Sequence, residues 1–421
     1  MWHHVSFCMW RHLNSHSRLI KAKQIFCINQ SINRSFGITF CKNSAIKVSC
    51  SSLHTTKAHG APIMPIIMMM IKPISKFIAI ITGRGARKWW KSLPPHKKKY
   101  FLESAKRNKY KIAGFTLFTS GMSAIYYYSH IQETPFTKRK RFIALTPEQF
   151  EQIADFQFKM QLELNKSNLL SAQHPACKRV ANVANQLLDK NQEVELIHNK
   201  KWTIAVIDSN IQNAFVLPNG QIFVFTGMLN LCENNDQLGV ILGHEMAHCI
   251  LGHAAEALSF THFVDIALIT VLAAIWMIIP SDGIALITQW FFNKVVDIII
   301  HLPYNRKLEI EADEVGLILA AKACFDVRES SAFWSKMSIL NESDDGPDIE
   351  WLSTHPSNEK RSNYLDKMMD GAIEIRKTSG CPLLTRKDPR LNISTFKKLI
   401  EDAKKIEEKY TTTIVIPNKR S

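Results

Sequence analysis

The sequence predicts an α+β protein that is mainly helical, contains a small β-sheet and is preceded by a membrane helix. Three features predict this class: a charge-free apolar segment at residues 112–132, two short β-rich runs at Trp202–Ile207 and Gln221–Phe225, and an apolar-periodic helix at Asp236–His253. The chain has 421 residues, 46% hydrophobic and 21% charged, which excludes a disordered protein.

The basic excess lies at the N-terminus. The formal charge is +16, yet residues 1–100 hold 17 of the 53 Lys and Arg residues and no acid before Glu103. A nucleic-acid-binding domain would carry its basic residues on a folded face, so we expect no nucleic-acid partner. Residues 1–60 have the composition of a mitochondrial transit peptide, with a disordered basic tail as the alternative. We expect residues 61–111 to form a basic segment on the matrix side, in which Ile63–Ile81 makes a poor spanning helix.

Residues 112–132 form the predicted membrane helix, with a buried core helix as the alternative. Tyr126–Tyr128 suit a membrane interface, and more basic residues precede the segment than follow it. This bias puts the N-terminus in the matrix and the body of the protein in the intermembrane space. The apolar residues 263–302, interrupted by Pro280, Asp282 and Gly283, predict a hairpin that either dips into the bilayer or packs on the domain.

The body of the chain begins with a helix, for which Thr146-Pro147-Glu148 is the start signal, and a second helix starts at Pro175. The residues Asn213–Leu217 and the turn after them lie between the two β-rich runs and predict either a hairpin or a small sheet with an edge strand. The tail, residues 371–421, predicts a charged helix at Ser394–Lys409 and a strand at Thr411–Ile416. The cysteines beyond the leader show no CxxC pair and are expected to be buried free thiols: Cys177, Cys232, Cys249, Cys324 and Cys381.

The pentad His244-Glu245-Met246-Ala247-His248 lies inside the helix predicted at Asp236–His253. Residues four apart share a helix face, so the imidazoles of His244 and His248 can reach one metal ion. Glu245 is placed to take a proton from a water on that ion. The pattern predicts a catalytic zinc site with one Zn²⁺ per chain, which needs a third protein ligand and one open position.

The third ligand is expected on a later helix. His253 lies about 140° round the helix from His248, so the same helix cannot deliver it. The metzincin spacing is excluded, because Leu251 and Ala254 stand where that class has Gly and His. Glu309 and Asp313 share one face of a helix that runs to about Ala323. We therefore predict Glu309 as the ligand and Asp313 as the hydrogen-bond acceptor of a ligating imidazole, with Glu311 the weaker candidate.

These motifs resemble a known peptidase family. Gly243–His248, Glu309 with Ala312-Asp313, Asn213-Ala214-Phe215 and Ser353-Thr354-His355-Pro356 occur in the order found in the gluzincin family that includes HtpX and the CAAX prenyl proteases. The run from Arg306 to Asp313 resembles the mitochondrial inner-membrane branch, whose activity overlaps with that of the m-AAA protease. The resemblance covers residues 140–370 and implies a zincin-type metallopeptidase domain there.

The resemblance also implies residue roles and partners. Asn213, Ala214 and Phe215 would lie on the strand that pairs with an extended substrate, and His355 would be the electrophile near the oxyanion. Arg361 has no clear role, and a surface ion pair fits it equally. The implied substrates are proteins of the inner membrane and intermembrane space, including the dynamin-like fusion GTPase. The resemblance leaves open whether the chain forms a homo-oligomer. The rival hypotheses are a catalytically silent membrane scaffold, a CAAX-type protease of the endoplasmic reticulum and a soluble matrix peptidase.

Overall fold

The computed structural model describes residues 63–341, 349–355, 359–400 and 402. The transit peptide predicted at residues 1–60 lies outside these residues, and so does the strand predicted at Thr411–Ile416. Of the helix predicted at Ser394–Lys409, only the first residues are described, and residues 393–400 are helical. The statements below concern the described residues.

Helices dominate the structure, as the sequence predicts. The helices are α1 (Ile63–Ser92), α2 (Pro95–Arg107), α3 (Lys109–Ser129), α4 (Pro147–Leu164), α5 (Pro175–Lys190), α6 (Glu195–His198), α7 (Thr226–Leu231), α8 (Asn235–Leu251), α9 (His253–Ile278), α10 (Asp282–Val296), α11 (Leu302–Lys322), α12 (Arg328–Asn341), α13 (Glu350–Thr354) and α14 (Glu359–Thr378). The strands are β1 (Ile131–Glu133), β2 (Lys140–Phe142), β3 (Thr203–Ile207), β4 (Ala214–Val216) and β5 (Gln221–Phe225). The mainly helical α+β class is confirmed.

Local sequence signals set the element boundaries. The Thr146 side chain accepts a hydrogen bond from the backbone N–H of Gln149, and the Gln149 side chain accepts one from the N–H of Thr146, which completes a capping box. Proline occupies the first position of α5 as well as of α4. Gly252 ends α8 in the left-handed conformation with φ +67°, a backbone geometry that glycine adopts without a Cβ clash.

The small sheet is a layer beside the helices. Its strand order is β3-β5-β4, with β3 parallel and β4 antiparallel to β5. The β4 strand therefore lies at one edge of the sheet, as the sequence predicts. One face of the sheet packs against α5 and α8, and the shared core contains the fully buried side chains of Leu187, Ile222 and Leu242. This core holds α8 in place under the edge strand.

A group of long apolar helices stands apart from this core. Two described helices have the length and hydropathy to cross a membrane: His253–Ile278 and the continuous helix Asp282–Lys322. They form the hairpin of α9 and α10, joined at Ile279–Ser281, and α1 packs along α9. Helix α3 covers most of the predicted segment 112–132 but ends at Ser129, before β1, and buries none of its residues. Its role as a membrane helix stays a prediction.

The cysteine prediction was wrong for two residues. Cys324 and Cys381 form a disulfide that joins the end of α11 to the chain after α14, while Cys177, Cys232 and Cys249 are buried free thiols. The pair is 57 residues apart in sequence and becomes adjacent only through tertiary folding. Spacing alone cannot reveal such a connection.

Candidate active site

Two glycines let the pentad helix and the acidic helix touch through their backbones. A Cβ on Gly316 of α11 would lie 2.8 Å from both the Cα and the N of His244 on α8. A Cβ on Gly243 would lie 3.0 Å from the carbonyl oxygen of Gly316. No larger residue fits at Gly316 without moving the helices apart. Asp313 and Glu309 lie one and two helical turns before Gly316. The close approach therefore brings their carboxylates to the imidazoles of α8.

The side chains of His244, His248, Glu309 and His355 converge, and one ligand atom from each lies within 4.8 Å of the others. His244 Nε2 is 3.1 Å from His248 Nε2, and Glu309 oxygens lie 3.4 Å from both nitrogens. Ligand atoms on a tetrahedral zinc, with bonds of about 2.0–2.1 Å, stand about 3.3 Å apart. The spacing and the chemistry of this donor set therefore fit zinc.

His355 completes the cluster from the other side. Its Nδ1 is 2.9 Å from Glu309 Oε2 and 3.2 Å from His244 Nε2, and its Nε2 is 3.3 Å from Glu245 Oε1. The ring is 1% exposed, so it belongs to the interior of the site and not to a surface loop. The structure places His355 among the metal donors, in addition to bringing it near Glu245.

Glu245 has one anchored oxygen and one without a partner. Trp351 Nε1 donates a hydrogen bond of 2.9 Å to Glu245 Oε1. Among the described residues, Glu245 Oε2 is buried with no hydrogen-bond partner. A buried carboxylate oxygen without a partner costs free energy unless a ligand or reactant meets it. The arrangement fixes the carboxylate while leaving one oxygen available for proton transfer.

Asp313 and Arg361 support His244 from behind. Asp313 Oδ1 lies 3.0 Å from His244 Nδ1, which is the geometry that orients a ligating imidazole. Arg361 donates hydrogen bonds of 2.5 and 2.7 Å to the two oxygens of Asp313, and its guanidinium lies 3.5 Å over the Trp334 ring. Arg361 is buried, so the idea of a surface ion pair was wrong.

A second buried network supports His248. Its Nδ1 lies 2.9 Å from Nδ1 of His253, whose Nε2 lies 3.2 Å from Glu311 Oε2. Arg139 donates a 2.7 Å hydrogen bond to Glu311 and two bonds of 2.6 Å to Glu256. His253 and Glu311 thus lie in the layer behind the ligands, although neither belongs to the converging donor set.

The electrostatics favour an ionised Glu309 and a neutral His248. Burial opposes the charge on Glu309, but His355, Arg361 and His248 hold its pKa well below the usual range. Burial lowers the pKa of His248 well below its ordinary value. Burial also opposes the charge on His244, yet its hydrogen bonds with Asp313 and Glu309 raise its pKa to about 9 in the metal-free protein.

The residues expected to bind substrate lie at the edge of the sheet. Ala214 and Phe215 belong to β4, and Asn213 precedes it, with its side-chain amide donating a 3.3 Å hydrogen bond to Glu350. Phe215 stacks on Phe223 with ring centroids 5.0 Å apart. Helix α8, which carries the pentad, packs against this strand. No sequence pattern pointed to Trp351 or Arg139, because an isolated Trp or Arg carries no spacing signal. His253 was considered only as a metal ligand and not as the partner of His248.

A helix-borne HExxH pair with an acidic donor from a following helix, beside a small sheet, defines a zinc metallopeptidase. The model of peptidase family M48 matches residues 177–369. The chain is 41% identical to human "Metalloendopeptidase OMA1, mitochondrial" over 358 residues, which cover 84% of this chain and 68% of that protein. The zebrafish protein of the same name is 40% identical over 354 residues, covering 84% and 74%, and the budding-yeast "Mitochondrial metalloendopeptidase OMA1" is 29% identical over 274 residues, covering 62% and 75%.

The chain therefore belongs to peptidase family M48. It is a zinc metalloendopeptidase, and its substrates are proteins. The predicted enzyme class and cofactor are confirmed, and the relatives named OMA1 are mitochondrial.

Proposed function

We propose that this protein is an endopeptidase of the mitochondrial inner membrane, with His244, His248 and Glu309 as its zinc ligands and Glu245 as its general base. The observation that carries the proposal is Glu245: Trp351 fixes one carboxylate oxygen, and the other is buried beside the metal donors without a partner. A purely structural zinc site has no use for such a base, so a silent scaffold is disfavoured.

The proposed reaction is hydrolysis of a peptide bond. When bound, zinc supplies an electrophile that acidifies water and polarises the scissile carbonyl. Glu245 Oε2 accepts the proton of the attacking water and passes it to the leaving amine. His355, whose Nε2 lies 3.3 Å from Glu245 Oε1, would donate a hydrogen bond to the carbonyl oxygen as that atom gains charge. Asp313 and His253 hold the rings of His244 and His248 in the ligating orientation.

The substrate is proposed to bind as an extended strand along the outer edge of β4. This strand is the edge of its sheet, and the pentad helix packs against it. Backbone pairing with Asn213–Phe215 would present the scissile bond to the metal without requiring one particular sequence. The dynamin-like GTPase that controls inner-membrane fusion is the proposed substrate, processed when the membrane potential is lost.

The active site is proposed to face the intermembrane space. The Cys324–Cys381 disulfide supports this orientation, because disulfides persist in oxidising compartments and are rare where thiol reductants dominate. The exposed apolar helices support a membrane location. Helix α3 alone exposes Phe115, Leu117, Phe118 and Ile125, each by more than 60%.

The test is cleavage of the fusion GTPase in mitochondria that lack their own enzyme of this kind. Wild type and Glu245→Gln are restored at matched levels, and cleavage is followed before and after an uncoupler. We expect uncoupler-induced cleavage with wild type and at least a hundredfold less with Glu245→Gln, since proton transfer contributes about 10²–10⁴ in rate. Both proteins should hold one zinc per chain.

The matched control is Glu151→Gln on the exposed face of α4, which should cleave like wild type. A zinc-loaded Glu245→Gln protein that retains most of its activity would remove Glu245 from the mechanism. If wild type is inserted and zinc-loaded yet leaves the GTPase intact, the proposed substrate is wrong while the peptidase site stands.

A further inference from the structure

Helix α1 runs parallel to α9 and is joined to it by charges at both ends. Lys72 Nζ lies 2.8 Å from Asp265 Oδ2. About four helical turns further along, Arg87 pairs with Asp282 and donates to the carbonyl oxygen of Ile279. Lys91 donates a 3.2 Å hydrogen bond to the carbonyl oxygen of Pro280. Both helices therefore run in register from the catalytic domain to the turn of the hairpin.

The two helices also meet through a glycine. A Cβ on Gly83 would lie 2.4 Å from the carbonyl oxygen of Ala273 and 2.9 Å from Cβ of Trp276. Ala79 adds a second small residue, and it is buried with Leu272, Trp276 and Ala285. Small residues that let helix backbones approach are typical of helix pairs within membranes. The contact makes α1 part of the hairpin unit and not a separate leader segment.

The unit formed by α1 and the α9–α10 hairpin carries apolar side chains on its outside, the reverse of a soluble helix bundle. The charges between α1 and α9 lie inside the unit: Asp265 is 7% exposed, and Lys76 lies within electrostatic reach of Asp265 and Asp297. Its outward faces carry large apolar side chains, each between 48% and 71% exposed: Ile71, Ile74, Phe77, Ile78, Ile266, Ile278, Ile287, Trp290 and Phe291. An apolar surface of this extent on several helices needs an apolar partner.

The two ends of the unit differ in charge. The end at the hairpin turn carries a cluster of basic residues with Trp89 and Trp90: Arg84, Arg87, Lys88, Lys91, Lys97, Lys98, Lys99, Lys106, Arg107 and Lys109. The opposite end joins the catalytic domain, where α1 packs on α4 and Tyr127 of α3 contacts Phe142 and Phe263. Basic residues collect on the inner side of membrane proteins, and tryptophan collects at the membrane interfaces.

We propose that α1 crosses the bilayer together with the α9–α10 hairpin, held by the Lys72–Asp265 ion pair, so that Ile63 lies on the same side as the active site. Residues 63–82 would span about 30 Å, the thickness of the hydrocarbon core. The partner of the outward faces is lipid hydrocarbon. The basic residues 84–109 would lie on the opposite side, and only they would form the matrix segment expected for residues 61–111. This inference rests on the proposed membrane location but not on the catalytic roles.

The first test compares the sides on which two epitopes lie. The full chain, with one epitope inserted between Pro62 and Ile63 and another after Ser421, is reconstituted into phosphatidylcholine and cardiolipin vesicles and treated with external protease. We expect both epitopes to be lost in the same fraction of molecules. An epitope inserted after Ser92 should be lost in the other molecules, whose opposite side faces the external protease.

One outcome would overturn the proposal that α1 crosses the bilayer: the Pro62 epitope is lost together with the Ser92 epitope and not with the Ser421 epitope. Failure of the chain to float with the vesicles would overturn the membrane location as well. Zinc content and peptidase activity, measured on the same preparation, report separately on the catalytic proposal.

The second test addresses the ion pair. Lys72→Ala removes the ion-pair partner of Asp265 and leaves only the more distant charge of Lys76, and we expect about a tenfold loss of vesicle-inserted chain. The charge swap of Lys72→Asp with Asp265→Lys should restore insertion, as should the double replacement of Lys72 and Asp265 by Leu. Lys159→Ala, an exposed change on α4, is the matched control. Insertion of Lys72→Ala at the wild-type level, with the swap making no difference, would show that the pair does not lie in the membrane.

Discussion

At the scale of single residues, Glu309 is the proposed third ligand of the zinc. Its oxygens lie 3.4 Å from the nitrogens of His244 and His248, and nearby cations hold its pKa well below the usual range. We expect Glu309→Ala to lower zinc affinity by more than a hundredfold, because the set of protein ligands falls from three to two. Zinc per chain after dialysis against a chelator is the measurement. Glu314→Ala, on the same helix, should retain its metal, and equal zinc in both variants would place the third ligand elsewhere.

The pH dependence of zinc binding follows from His244. Its pKa of about 9 in the metal-free protein means that zinc must displace a proton at neutral pH. We therefore expect affinity to rise with pH, by up to about tenfold per unit, and to level off near pH 9. Competition with a chelator at several pH values measures the slope. Asp313→Asn removes the carboxylate that raises this pKa, so the rise should level off at a lower pH. Identical curves for both proteins would contradict this assignment.

Site residues that belong to a motif with regular spacing could be predicted from the sequence, and isolated site residues could not. The pentad and the acidic run could be recognised as a site because helix periodicity puts their members on one face. His253 was excluded as a ligand by that same periodicity, yet it lies 2.9 Å from His248 because α9 begins with a change of direction at Gly252. Arg361 lies 48 residues after Asp313 and reaches it only through tertiary packing.

At the scale of elements, the contact of α8 with α11 sets the geometry of the site. Gly316→Ala would put a Cβ 2.8 Å from the His244 backbone, and we expect a loss of about 1–3 kcal/mol in stability together with weaker zinc binding. Thermal unfolding with and without zinc measures both effects. The matched control is Gly371→Ala on α14, whose Cβ would meet nothing within 4 Å and should be neutral or stabilising. Equal effects of the two changes would mean that the helices can separate without cost.

Helix α1 shows how charges that argue against a membrane segment in the sequence can be compensated in the fold. Lys72 and Lys76 interrupt its apolar run, so composition argues against a spanning helix. Asp265, Asp282 and Asp297 interrupt the hairpin in the same way. Each set of charges counts against a membrane segment when its own sequence is considered alone. The structure brings them together, with Lys72 on Asp265 and Arg87 on Asp282, so that the charges of one element compensate those of the other.

At the scale of the whole molecule, the chain is organised about one catalytic core, with a helical unit at one end and a disulfide at the other. The sequence predicts the core because its helices and strands follow local periodicity. It does not predict the disulfide, because cysteine spacing carries no pairing information across 57 residues. The Arg376 side chain of α14 donates hydrogen bonds of 3.1 and 3.2 Å to the carbonyl oxygens of Cys324 and Phe325, which reinforces the same junction.

The disulfide should contribute to the stability of the catalytic domain as a whole. Closing a loop of 57 residues restricts the unfolded chain, which corresponds to about 4 kcal/mol in the chain-entropy model. We expect Cys381→Ser to lower the unfolding temperature in detergent, and a reductant to lower that of wild type to the same value. The variant provides its own control, since the reductant should not lower its unfolding temperature further. If reduction leaves the wild-type transition unchanged, the packing of α14 and Arg376 alone holds the junction, and the disulfide adds nothing to the fold.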